Sequence, residues 1–267
     1  MLKKQTPQSI IEGKVPEAAG RAVEREHFYE DVVLGIHFEN PQGAAELREL
    51  IKRLLGLNYI RQVGQPQGYD LLIRQEKGFF VTEAGEPTEI SPRVPVADEG
   101  AIDHVVEQVE KWARWFGILS VDNSGTSLAI EFDIEKPSGQ GREIPKTPRE
   151  LDLILYEGEE FDVRVTNKSS QSLFVTLLDV SNDGSIEVVF PRYRANEYLA
   201  SGRSLSRRLK TNLPKGRDSI RDVLKVIATT EETDFSFLRQ EAIRDPSKIQ
   251  TLNPLPQIDA GLKGGQI

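Results

Sequence analysis

No cysteine occurs anywhere in the 267 residues, and that absence removes disulfides, thiolate metal sites and thiol nucleophiles together. Long hydrophobic runs are missing too: none approaches the ~20 residues that cross a bilayer. The start, Met1-Leu2-Lys3-Lys4, is basic, but no apolar stretch follows it, so no secretory signal is visible. A cytoplasmic location without membrane attachment is the expectation. Histidine is scarce. His27, His37 and His104 show no His-Glu-x-x-His pattern or other close spacing that would seat a metal, so solvated or core roles are expected of them. The chain also lacks a Gly-x-Ser-x-Gly elbow, a Ser-x-x-Lys set and a Gly-x-x-x-x-Gly-Lys-Ser/Thr phosphate loop. A non-enzyme with no cofactor and no metal is expected.

What is present is an ordinary globular composition, 38% hydrophobic and 28% charged, with a net charge of −8. That acidity argues against a general nucleic-acid binder. Residues 1–27 are broken by Pro7, Gly13, Pro16 and Gly20 and read as a tail or linker. Order is expected to begin with the branched apolar run Asp31–Phe38, a strand. Asn40-Pro41 offers a cap and a first helical residue. After it Leu47, Leu50, Ile51, Leu54 and Leu55 fall on one helical stripe. Strands are expected at Tyr59–Val63, Tyr69–Ile73 and Gly78–Thr82. A long helix over Glu99–Phe116 carries Ile102, Val105, Val106, Val109, Trp112, Ala113 and Phe116 on one face. Residues 28–120 therefore read as a small α+β domain with two helices over one side of a sheet, in β-α-β-β-α order.

Residues 121–243 read as nearly all β, in an Ig-like antiparallel sandwich. Strands are expected at Ser127–Ile134, Leu151–Tyr156, Glu160–Thr166, Ser172–Val180, Ser185–Phe190, Ser204–Lys210 and Val223–Thr229. Leu173-Phe174-Val175 and Leu177-Leu178 are continuously apolar, as befits a central strand. A flexible insert is expected at 136–149 and a disordered tail at 244–267. The oxygen-rich stretch Asp179-Val180-Ser181-Asn182-Asp183-Gly184 invites a calcium-loop reading. Its twelfth position, which should be a bidentate Glu, is Phe190. Asn182-Asp183-Gly184 is expected instead to turn a hairpin.

Two surfaces stand out. Between Phe190 and Arg221 there are nine basic side chains and two acidic ones, among them Arg192, Arg194, Arg203, Arg207, Arg208, Lys210 and Arg217. Three readings stay open for this stretch: a charged strand edge that discourages edge-to-edge pairing, a docking surface for acidic protein, and a site for a glycan, a nucleic acid or another anionic polymer. The second surface is Trp115, which lies off the apolar stripe of its helix and either packs within the chain or anchors a partner.

Three segments carry a likeness to a known family. They are Tyr69–Arg74 with Gly78–Val81; Trp112-Ala113-Arg114-Trp115 leading to Asp122-Asn123; and, in the β part, Gly158-Glu159, Val163–Asn167, Leu173–Pro191, Leu224–Thr230 and Thr233–Phe235. Through them the chain resembles the C-terminal, non-catalytic region of prokaryotic caspase-like peptidases of the metacaspase and orthocaspase group. That region includes a β-sandwich domain which follows the caspase domain. The resemblance implies a regulatory or protein-interaction module, with a caspase-like peptidase domain as partner in cis or in trans, or another protein in its place. Such peptidases work through a His-Cys pair, and this chain has no cysteine, so no catalytic residue carries over.

Overall fold

Strand β1 (Leu34–Phe38) sends Leu34, Ile36 and Phe38 into the core and Gly35 and His37 to the other face. The computed structural model describes residues 33–64, 68–84, 89–121, 128–135, 155–192, 196–213 and 220–243. The expected tails 1–27 and 244–267, the expected insert 136–149 and strand residues 151–154 lie outside the described residues. After β1, Asn40 takes a left-handed φ of 51° and its carbonyl accepts the amide of Gly43 at 2.8 Å. Asn40-Pro41 thus closes a turn and does not cap a helix. Helix α1 (Ala45–Leu54) starts four residues later, with Glu46 in its first turn and Lys52 and Arg53 in its last, as the helix dipole favours. Leu47, Leu50 and Leu54 are buried, whereas Leu55 falls just past the helix and is 40% exposed.

The first sheet runs β2-β1-β3-β4-β5, with β2 (Ile60–Gln62), β3 (Leu71–Glu76), β4 (Phe79–Glu83) and β5 (Val94–Pro95). β1 is parallel to both β2 and β3, and the remaining pairs are antiparallel. The β3–β4 hairpin turns on Lys77 (φ 50°) and Gly78 (φ 82°). Two successive positive φ values match the right-handed twist of the strands. Helix α2 (Ala101–Ser120) follows Gly100, itself at φ 78°, and runs a turn beyond its expected end. The observed order, β-α-β-β-β-β-α, has two strands more than the expected β-α-β-β-α, and of its strands only β5 lies where none was expected. It is only two residues long, too short to show a period.

The C-terminal half is antiparallel. One sheet is β11-β7-β6, with β6 (Ile130–Glu135), β7 (Glu160–Asn167) and β11 (Ser204–Lys210). The other is built on β8 (Leu173–Ser181). β12 (Asp222–Thr229) pairs along the whole of one edge of β8. β9 (Ile186–Phe190) and the short β10 (Glu197–Leu199) share the opposite edge, one at each end. A bulge at Val189 lets Val188 face the helices while Phe190 faces the other sheet. The hairpin between β8 and β9 uses Gly184 at φ 89°, and a Cβ there would approach Ile243 to 2.7 Å. With its two α-helices and three sheets among the described residues, the chain is α+β.

Where the layers meet explains the sequence pattern of β8. Leu173, Val175 and Leu177 face the β6-β7-β11 sheet together with Val163, Val165 and Leu199. Leu178 and Val180 face the other way, into a cluster that also holds Ile36, Leu71, Phe80, Leu50, Val109, Trp112 and Trp115. A strand covered on both faces loses its polar alternation. One apolar cluster therefore joins the first sheet, both helices and the β8 sheet.

Candidate interaction surface

β11 is the edge of its sheet, paired among the described residues only with β7. Its side chains alternate. Leu205 and Leu209 face inward, and Arg207 shares their side of the strand but is exposed, its guanidinium 4.7 Å from the centre of the Phe190 ring, a cation–π contact. Arg208 faces outward and forks onto Asp162, directly opposite on β7, with bonds of 3.0 and 3.1 Å; Glu160 lies 3.8 Å away. The Arg208 guanidinium holds the Asp162 carboxyl below its usual range. Arg192, Arg203 and Lys210 are exposed. Arg194 and Arg217 lie outside the described residues. The basic run thus divides between two faces and is partly neutralised by acids of the neighbouring strand. A cation on an edge strand also obstructs pairing with another chain.

Trp115 is not on the surface. It is 3% exposed and its indole N–H donates to the Ser181 carbonyl at 2.7 Å. Its ring packs edge-on against Trp112 and Phe116. Of the two roles open to it, packing within the chain is the one it fills. The helix buries two flanks: one stripe against the first sheet, and a second against the β8 sheet. The junction has further polar bonds. Gln240 accepts from Arg114 at 3.1 Å and donates to the carbonyls of Lys111 and Gly184. Lys225 on β12 donates to the last carbonyls of α2, at Ile118 and Leu119. The last turn of α2 has no basic residue of its own, and Lys225 supplies the positive charge its dipole favours.

Two buried charged groups escaped the sequence reading. On the first sheet, Arg74 of β3 bonds Glu83 of β4 at 2.8 Å and also pairs with Glu76. The Glu83 side chain is 5% exposed, and the Arg74 guanidinium is stabilised in its charged form, first by its bond to Glu83. In the β8 sheet, Asp179 stands opposite Glu187 of β9, while Ser181, two residues on, stands opposite Asp222 of β12. Asp179 Oδ1 and Ser181 Oγ are buried without a hydrogen-bond partner. Burial, then the charges of Asp222, Glu187 and Asp183, push the Asp179 carboxyl up to about 7. The oxygens of the rejected calcium loop are thus folded into a hairpin whose Asp183 side chain caps the Ser185 amide at 2.8 Å. Among the described residues no three His, Asp or Glu side chains are grouped to hold a metal.

His37 stacks on Tyr69 with ring centres 5.9 Å apart, and its Nδ1 lies 3.1 Å from the Val63 carbonyl. His104 is on the exposed face of α2, and His27 lies outside the described residues. No helix among the described residues is long and apolar enough to cross a membrane. A scan of protein-family models finds no match to this chain, and a search of curated proteins finds none either.

Proposed function

We propose that the chain is a non-catalytic regulatory or protein-interaction module of a caspase-like cysteine peptidase system, its β part an Ig-like sandwich. The observation that carries this reading is where the three family-like segments lie. Leu71, Ile73 and Phe80 come from the first, Trp112 and Trp115 from the second, and Leu178, Val180, Ile186, Val188, Ile227 and Phe235 from the third. All belong to one apolar cluster. Segments that resemble one family and pack into one core support a resemblance of fold. The thiol that peptidase chemistry needs is absent, so the role left to the fold is contact and control. A caspase-like domain, in the same polypeptide or a separate one, is the partner this reading names, in the cytoplasm. The division of the basic residues between two faces, with Arg208 held by Asp162, weighs against a track for a glycan, nucleic acid or other anionic polymer.

The test is a reconstitution. The chain is titrated into a caspase-like peptidase domain encoded in the same reading frame or beside it, reading affinity and turnover of a fluorogenic peptide. Binding in the micromolar range or tighter, with turnover changed at saturation, is expected. Absence of both at tens of micromolar overturns the proposal.

A further inference from the structure

We propose that Asp179, with Glu187, Asp183 and Asp222 around it, forms a proton-operated latch on the docking of α2 against the β8 sheet. The charged groups that act on Asp179 are all acidic: Asp222 from β12, Glu187 from β9 and Asp183 from the hairpin turn. Lys225 alternates onto the opposite face of β12 and bonds the end of α2. Arg221 lies just before β12, where its carbonyl takes the Asn182 amide, and Arg239 adjoins Gln240, the bridge partner of Ile186 beside Glu187. From α2, Arg114 bonds Gln240 and Lys111 pairs with Glu107. The facing sheet presents Phe161, Val163, Leu205 and Leu209, and its Arg207 lies over Phe190.

A carboxyl in this setting is tolerated when it carries its proton. Once ionised it adds a fourth negative charge beside three others, with Oδ1 buried and no donor to receive it. The strands that would separate to relieve this also hold α2. The Ser181 carbonyl takes the Trp115 indole N–H, and the Gly184 carbonyl takes the Gln240 amide. Loosening the β8–β9 end therefore loosens the helix. The elevation of Asp179 to about 7 makes this change begin near pH 4 and level off near neutral pH. The latch needs only the chain's own groups and stands apart from any peptidase partner.

The test uses the full chain alone. Amide hydrogen exchange over residues 178–188, corrected for intrinsic rates, and tryptophan emission are followed from pH 4 to 8.5. Protection is expected to fall at least tenfold with a red shift in emission, because Trp115 sits on the contact that loosens. Asp179→Asn, of the same shape and always neutral, should keep full protection at both ends of the range. Glu187→Gln removes one like charge and should move the midpoint to lower pH. A wild type unchanged across the range overturns the latch, and so does an Asp179→Asn variant that keeps the transition or a midpoint that ignores Glu187→Gln.

Discussion

The two sheets on either side of the helix layer bury carboxylates in opposite ways. In the first sheet Glu83 lies under Arg74, with Glu76 beside it. In the β8 sheet Asp179 lies among Asp222, Glu187 and Asp183. The first arrangement pairs opposite charges within bonding distance: the Arg74 guanidinium bonds both carboxylates and holds the Glu76 carboxyl below its usual range. The second keeps a proton instead, since like charges and burial both disfavour ionisation. One is therefore a static tie between strands, the other a group whose state follows the solution.

The sharpest way to break this comparison is to remove the counter-charge. Arg74→Met leaves Glu83 buried without a cation and should destabilise the fold by about 3 kcal/mol in urea unfolding. Arg74→Met paired with Glu83→Gln should recover much of that loss. An effect of similar size is expected from pH at the other site. Asp179 has a folded value near 7 against about 3.8 unfolded, so its share of stability is full below about pH 4 and is lost as pH rises to 7. The difference in unfolding free energy between Asp179→Asn and wild type should widen over that window by roughly 4 kcal/mol, about 1.4 kcal/mol for each pH unit between the two values. A difference that stays constant with pH would show that Asp179 ionises normally.

Trp115→Phe tests the junction between the two regions. It keeps most of the ring packing but orphans the Ser181 carbonyl, and a loss of about 1–2 kcal/mol is expected in thermal unfolding. The smallest effect belongs to the surface. Asp162→Asn removes the fork onto Arg208, an exposed pair, and no change in melting temperature outside experimental error is expected, because such pairs are screened and entropically opposed.

Much of the fold was legible along the chain. Ten of the twelve strands among the described residues fall where alternation or apolar runs placed them, and α2 follows its stripe, because these elements are dictated by local period and turn chemistry. Leu173 to Leu178 announced a strand buried on both faces before its neighbours were known. The misses share a physical cause. Asn40-Pro41 reads equally as a cap or a turn, and only the course of the chain after β1 decides between them. β5 and β10 are two and three residues long, and their pairing comes from partners distant in sequence. The basic run looked like a single surface since sequence adjacency says nothing of faces. Once β11 is a strand, Arg207 and Arg208 point in opposite directions. Arg74–Glu83 and the surroundings of Asp179 were invisible because each is assembled from different strands.

By itself the sequence determined that this chain carries no thiol and which kinds of element it forms. The missing thiol, the stripe on α2 and the Asp183-Gly184 hairpin are local facts, set by composition, period and backbone freedom. Tertiary structure alone decided that Trp115 is buried, that Lys225 serves a helix end from a distant strand, and that Asp179 shares its corner with three other acids. Burial and charge environment are properties of neighbours in space, and the neighbours of these residues lie up to 107 positions away along the chain.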